Sequence, residues 1–517
     1  IQHLTQQKDT SGESILTGNK SVITMITKKH ISTIAMACLI VTISCKKEVE
    51  KISPNIIWIV VEDMSSHLGF QGETLVHTPN IDQLAANGLV YRNAYVTAPV
   101  CSTSRSAMIT GMFQTSIGSH HHRSSRGTHK IHLPKGIKTI PELFKAKGYY
   151  TSNSQEGFDK PGKEDYNFVY SRQDMYDGPD WSSRAKGQPF FAQIQLRGGK
   201  LRNVPKWNEE VIAGLGQTVV DPLQVKLPPY YPNCDAFRKD WADYLNAVSY
   251  TDIEVGKIMD RLKKEGLLNN TVIFFITDHG ISQARGKQFM YDEGTRIPFV
   301  VWAPELFKPE VKSELINHID MAASSLELAG IEIPNYMESK PLFNKNHTPR
   351  DYVVSARDRC DETVDHIRSI RKGNFKYIKN YLPNRPYLQP CNYKDHKPWM
   401  SVLKEMDING ELDTVQQLVT AKYRPVEELY DLSKDPFEIN NLASDKAFDS
   451  QLKQCRNTLF NWIEQTSDQG LAPESVESYD SDMKAYLEPF RRPGKMEQVK
   501  NIEANIAIMK KWEKEGK

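Results

Sequence analysis

The sequence predicts a doubly wound α/β protein in which a large mixed sheet flanked by helices precedes a smaller α+β unit. Three observations lead there. The run Ile56-Ile57-Trp58-Ile59-Val60-Val61 is unbroken apolar and stops abruptly at Glu62-Asp63. A second run, Val272-Ile273-Phe274-Phe275-Ile276-Thr277, stops at Asp278-His279, and a third, Ile297-Pro298-Phe299-Val300-Val301-Trp302, follows closely. Continuous β-branched and aromatic runs mark strands buried on both faces, as in a parallel sheet. Helical spacing fills the intervals, and strand–helix alternation places ligands at the carboxyl ends of the strands. Both acidic pairs fall at such ends.

Taken in order, Pro54-Asn55 leads into the first strand, and residues 80–87, 104–111, 140–147 and 241–265 carry helical patterns. The apolar run Phe190–Leu196 reads as a further strand. Residues 54–345 form the expected catalytic α/β domain. Beyond them the style changes to short strands at 351–355, 375–378 and 428–432, a Pro-rich stretch at 381–398 and a helix at 445–465. Residues 346–517 therefore read as a C-terminal subdomain with an antiparallel sheet and a helical tail. The charged segment from Lys484 onward offers no chemistry of its own, and there is no internal repeat.

Composition narrows the function classes. The 517 residues are 39% hydrophobic and 25% charged, as in an ordinary globular protein. A net charge of +2 leaves no electrostatic footprint for nucleic acid. Seven Cys without C-x-x-C spacing argue against a disulfide scaffold or a structural zinc site. Near the start, Lys28-Lys29, the apolar run 31–44 and Cys45-Lys46-Lys47 read as a signal peptide at 25–45 of lipoprotein type, with Cys45 lipidated. Residues 1–24, which begin at Ile1, are read as a non-native upstream segment. The expected product is exported, periplasmic or anchored to the outer membrane, and meets the membrane only through its lipid. Residues 45–517 carry equal numbers of Lys plus Arg and of Asp plus Glu, so any anionic substrate must be met by local basic clusters.

Two constellations carry chemistry. In Cys101-Ser102-Thr103-Ser104-Arg105 the Cys opens a helix, where the positive end of the dipole favours an oxyanion on its side chain. Arg105 lies one turn on and can hold an anion beside it. Lone Cys residues at helix starts are more often packing groups than nucleophiles. Glu62, Asp63 and Asp278 bring carboxylates from two strand ends, which suits a hard cation with oxygen ligands. Acid pairs at such places are otherwise helix caps or turn acids.

Together these stretches resemble the sulfatase family. Residues 98–111 match its C-x-P-S-R signature followed by a helix ending in T-G, with Thr103 where the pattern has Pro or Ala. In that family a formylglycine-generating maturase oxidises the Cys to formylglycine (3-oxoalanine), whose hydrated diol is the nucleophile. The resemblance implies that Cys101 is so modified and that Ca2+ is held by Glu62, Asp63, Cys101, Asp278 and His279. It implies catalytic roles for Arg105, Lys163 and Lys287 at the sulfate. Two family histidines are missing. Asp165 follows Gly162-Lys163 where the family has His, and Arg197-Gly198-Gly199-Lys200 follows the strand that leads to the other. Lys200 then either fills the sulfate-facing place or leaves acid–base work to His120-His121-His122-Arg123. In that run His122 is the expected general acid, with His120, His121 and Arg123 against substrate. A metal-binding tract and a plain surface loop are the other readings of the same run. In the charged stretch 356–368, Asp361 and Arg368 are candidates for binding saccharide groups.

The chain is thus identified as a type I, formylglycine-dependent sulfatase, similar to heparan N-sulfatase-like bacterial members of the alkaline-phosphatase-like superfamily. The resemblance implies a sulfuric ester hydrolase acting on a sulfated saccharide at an ester or N-sulfate, through attack of the diol on sulfur and expulsion of the alcohol or amine. Two alternatives are a catalytically impaired cell-surface binder of sulfated glycans and a phosphohydrolase of the same superfamily.

Overall fold

The strand β1 (Asn55–Val61) is buried along its whole length, and its alternation splits the apolar run between two cores. Ile57, Ile59 and Val61 pack with Leu245, Val248, Val255 and Ile258 of the long helix α4 (Asp235–Lys264). Ile56, Trp58 and Val60 pack on the opposite face with Met108, Ile109, Met321 and Leu326. Burying each such side chain contributes roughly 1.5–3 kcal/mol, so both faces must be apolar and the run has no polar alternation. Trp58 donates its indole N–H to Ser325 Oγ at 2.9 Å. The computed structural model describes residues 53–517, which form one compact unit. The expected signal segment 25–45, its Cys45 and residues 1–24 lie outside the described residues.

The large sheet adds β2 (Leu89–Tyr95), β3 (Tyr150–Gln155), β4 (Phe190–Leu196), β5 (Thr271–Thr277), β6 (Arg296–Ile297), β7 (Phe299–Trp302) and β8 (Glu310–Asn317). Its order is β3-β4-β1-β5-β7-β2-β6, with β8 beside β2. β1 runs parallel to β4 and β5, and its register pairs Val61 with Leu196 on one side and Thr277 on the other. Glu62, Arg197 and Asp278 therefore emerge side by side from one edge of the sheet. The third apolar run departs from expectation. Pro298 lacks an N–H for the ladder and divides it into β6 and β7, and β7 runs antiparallel to β5. An unbroken apolar run reports two-sided burial, not strand direction; the antiparallel β7 makes the large sheet mixed, as expected.

The helices flanking the sheet are α1 (Pro79–Ala86), α2 (Cys101–Thr110), α3 (Ile140–Ala146), α4 and α5 (Asp320–Leu328). The second sheet is antiparallel in the order β12-β11-β10-β9, from β9 (Tyr352–Arg357), β10 (Ile367–Lys372), β11 (Phe375–Asn380) and β12 (Glu427–Asp431). Helix α6 (Pro398–Asn409) lies in sequence between β11 and β12, and α7 (Asp449–Thr466) covers one face of this sheet. Their shared core of Val354, Ile370, Tyr377, Leu459 and Trp462 also contains Ala107 from α2. Helix α2 is thus enclosed by both sheets, and all ten of its residues are buried. The tail forms α8 (Val476–Leu487) and α9 (Met496–Lys514).

Candidate active site

Helix α2 starts at Cys101 because Val100 is extended, and it stops where Gly111 adopts φ 67°. Its register on the sheet is fixed by Ser104, whose hydroxyl donates to the Asp278 carbonyl at 2.6 Å. Cys101 Sγ then points at the carboxyl ends of β1 and β5. It lies 3.0 Å from His279 Nε2, 3.1 Å from Lys287 Nζ, 3.7 Å from Lys200 Nζ and 3.9 Å from Asp63 Oδ1. Burial alone would push the thiol up, but Lys163, Lys200, Lys287 and His279 bring it down to about 6.

Three buried carboxylates surround this atom. Asp278 accepts from Arg105 Nε at 3.0 Å, and Arg105 Nη1 donates to Gln195 Oε1 at 2.6 Å. Asp63, strained at φ 52°, accepts from Lys287 Nζ at 3.1 Å and from the Tyr393 hydroxyl at 3.1 Å. Glu62 accepts from Lys163 Nζ at 2.7 Å and also from Lys200. Burial opposes ionisation of all three. Against it, Lys287, Lys200 and His279 hold Asp63 well below the ordinary range, His279 and Arg105 do so for Asp278, and Lys163 and Lys200 lower Glu62. The His279 imidazole, which burial alone would lower, is raised by Asp278 and Cys101.

Two ligand sets converge at Cys101, one from Asp63 and His279 and one from Glu62 and Asp278. Mostly carboxylate oxygens with one imidazole fit a hard divalent cation. The extra methylene of Glu62 does not remove it from the group.

Lys200 reaches the cluster through its two preceding glycines. A Cβ on Gly199 would sit 2.1 Å from the Asp63 carbonyl, and one on Gly198, at φ 50°, 2.4 Å from the Glu62 carbonyl. Only glycine lets the chain after β4 pass this close to β1. Asp165, at the other missing His, ion-pairs with Arg123 at 2.7 Å and Lys163 at 3.4 Å. Burial disfavours its charge, yet Lys163 and Arg123 hold it well below the usual carboxylate range.

The loop after α2 divides the expected histidines. His122 faces the site, its Nδ1 2.8 Å from Ser102 Oγ and 3.3 Å from the Ser102 backbone N–H, its Nε2 4.0 Å from Asp361. His121 and His120 do not join it. His121 Nδ1 accepts from the Arg359 backbone N–H at 3.2 Å, and its ring lines a cavity of ≈ 370 Å³ with His366, Leu382 and Tyr479. The His120 ring packs on it at 4.3 Å. Backbone pairing of His122 with Cys360 turns the neighbouring side chain away. His120 and His121 therefore lie apart from the side chains around Cys101. Burial keeps all three imidazoles neutral, with His120 lowered to about 4.

Arg123 stays at the rim, its side chain 40% exposed. Asp361 pairs with Arg126 at 2.7 Å. Arg368 is corrected. Its side chain is 0% exposed, with Nε and Nη2 on Asp468 at 2.6 and 3.0 Å and Nη1 on Asp358 at 3.1 Å. It holds β10 to the chain after α7 and is shut off from the surface where a saccharide would lie. Sequence reasoning missed Gln195 and Tyr393. Gln195 breaks the apolar run of β4 two residues before its exit, which is a readable signal. Tyr393, in the Pro-rich stretch, gave none.

Comparison with known proteins agrees with this geometry. The family model described as Sulfatase matches residues 54–331, and that described as N-sulphoglucosamine sulphohydrolase, C-terminal, matches residues 279–388. The chain is similar to an ulvan-active sulfatase of Formosa agariphila, 30% identical over 497 residues, covering 86% of this chain and 82% of that protein. It is similar to human N-sulphoglucosamine sulphohydrolase, 24% identical over 482 residues, covering 82% of this chain and 92% of that one. A solved 2-O GAG sulfatase shares the fold with a TM-score of 0.59 at 19% identity, covering 83% of this chain and 96% of its own.

Proposed function

The chain belongs to the sulfatase family, and on that premise we propose that it hydrolyses sulfate from a sulfated saccharide with residue 101 as nucleophile. The observation that supports this best is the placement of Cys101 Sγ at a helix start, within 3.9 Å of His279, Lys287, Lys200 and Asp63. Maturation of Cys101 to formylglycine by a maturase belongs to the same proposal. So does calcium, held by Glu62, Asp63, Asp278 and His279. Bound there, such a cation supplies positive charge to the nucleophile's oxygen and to the sulfate.

The chain's own residues then divide the work. Arg105 is anchored through Nε and Nη1 while its buried Nη2 has no hydrogen-bond partner, a donor that a sulfate oxygen satisfies. Lys163 and Lys287 balance sulfate charge as it shifts towards the leaving oxygen. Lys200 takes the proton-donor role. In the unmodified chain burial would strip its proton, but Cys101, Asp63 and Glu62 keep the ammonium well above its ordinary value, and the two carboxylates remain to hold it once residue 101 is converted. A poor alkoxide leaving group accepts a proton even from so weak an acid. His122, expected for this role, receives the Ser102 N–H on Nδ1 and is held neutral, and the proton left on Nε2 points towards Asp361 at 4.0 Å and away from residue 101. Its place is to orient Ser102 beside the nucleophile.

Export through residues 25–45 is a separate proposal, checked by whether Cys45→Ala releases the protein from membranes. The function is tested by inorganic sulfate release from a panel of sulfated saccharides. Matured wild type should turn over at least one member and Cys101→Ala none. Equal release by both would end the assignment.

A further inference from the structure

Helix α8, at the start of the helical tail, reaches the active-site loop. Asp482 is 1% exposed, and its Oδ1 accepts from the backbone N–H groups of Arg126 and Gly127 at 3.0 and 3.3 Å. The Ser481 hydroxyl accepts from the Thr128 N–H at 2.7 Å. Gly127 is needed for this approach, since a Cβ there would lie 2.4 Å from Ser481 Oγ and 2.7 Å from its carbonyl carbon. The Arg126 guanidinium stacks 4.6 Å over the Tyr486 ring and pairs with Asp361.

Asp482 meets a second piece of the site from the same position. Its Oδ2 lies 2.9 Å from Arg359 Nη2 as an ion pair, while Nε and Nη2 of that guanidinium donate to Glu474 at 2.6 and 2.9 Å and Nη1 donates to the Asp361 carbonyl at 2.8 Å. The backbone of Arg359 in turn accepts from the His122 N–H at 2.8 Å and donates to His121 Nδ1. His122 and the Arg123 N–H then meet Ser102 Oγ at 2.8 and 2.9 Å, next to Cys101. Asp482 therefore pins the loop 120–128 directly through the Arg126 and Gly127 N–H groups, and its second oxygen only adds charge beside the Arg359 side chain that Glu474 already holds.

We propose that Asp482 is a positioning residue for the reaction: it clamps the loop 120–128 so that His122 holds Ser102 beside residue 101 and Arg126 holds Asp361 at the rim. The clamp rests on the assignment of residue 101 as nucleophile. Fold and clamp are separable, because Arg359 keeps both bonds to Glu474 when Asp482 is removed. An asparagine keeps one acceptor oxygen for the two backbone N–H groups, whereas alanine keeps none.

The test uses the full chain as wild type, Asp482→Ala and Asp482→Asn. On matured protein, Asp482→Ala should lose on the order of 10²-fold in kcat on the sulfated saccharide, the cost of a misplaced catalytic segment, with KM changed less. Asp482→Asn should keep most of the activity. On unmatured protein, iodoacetamide should alkylate Cys101 about tenfold faster in Asp482→Ala than in wild type, because local opening of the loop uncovers the start of α2. It should not do so in Asp482→Asn. Wild-type kcat and alkylation rate in Asp482→Ala would overturn the proposal, as would Asn behaving like Ala. Alkylation requires no turnover. A wild type inactive on every saccharide would refute the functional reading while this arm still reports on the clamp.

Discussion

Lys200→Met removes an ammonium 3.7 Å from Cys101 Sγ while keeping most of the apolar stem. Glu62 retains Lys163 at 2.7 Å and Asp63 retains Lys287 at 3.1 Å, so neither carboxylate is left bare and the fold should survive. The expected loss is therefore catalytic. A positioned general acid contributes on the order of 10²–10⁴-fold, and a saccharide sulfate, which leaves as a strongly basic alkoxide, should show a loss in that range. An activated aryl sulfate leaves as a stabilised phenolate and should lose far less, about tenfold or under, from the missing charge alone. The assay compares kcat for sulfate release from the saccharide with kcat on 4-nitrophenyl sulfate, wild type against variant. Equal losses on the two substrates would assign Lys200 to sulfate binding. A substrate-selective loss in His122→Ala with none in Lys200→Met would return the proton to His122 and refute the assignment.

Chelation should lower both activity and melting temperature, because a cation held only by the folded site stabilises that fold by mass action and supplies charge at the nucleophile, and added calcium should restore both; recovery with zinc alone would favour the phosphohydrolase alternative. Arg368→Met should cost about 3–5 kcal/mol in denaturant unfolding, since Asp468 and Asp358 remain buried without their partner, and a stable variant with a raised KM would restore Arg368 to saccharide binding. Glu254→Gln tests a buried carboxyl on α4 that burial first, and then Glu156, push up to about 8 from an ordinary 4.5. The folded chain keeps this proton between pH 4.5 and about 8 while the unfolded chain releases it, so the stability present below 4.5 is lost as pH rises through that window. The variant should melt higher than wild type at pH 9 and much as wild type does at pH 4.5; the same difference at both would exclude the linkage.

The strands that carry the site were legible because two-sided burial writes an unbroken apolar run, and the run ends where the acids begin. Glu62-Asp63 and Asp278-His279 could be placed at one sheet edge from that alone. Lys200 was reached only through its place after β4, where the family strand leads to a His; the close passage of the chain over Asp63, which its two glycines permit, was not read. Arg368 was misread because its partner Asp468 lies 100 residues away, and a charged stretch shows nothing of which charges are neutralised at such range. His120, His121 and His122 look alike in sequence. Only the backbone bridge from His122 to Cys360 decides which ring turns towards Ser102. Tyr393 and Asp482 reach the site from the Pro-rich stretch and the tail, segments whose local pattern is solvent-like.

The most direct check on the account is the mass of the tryptic peptide covering residues 93–105 in protein that is actively releasing sulfate. Conversion of the Cys101 thiol to an aldehyde lowers that peptide by about 18 Da, since one sulfur and two hydrogens are exchanged for one oxygen. The expected result is that this species predominates and that its fraction tracks kcat across preparations made with and without a maturase. Full activity in protein whose peptide carries only unmodified Cys101 would contradict the account at its centre.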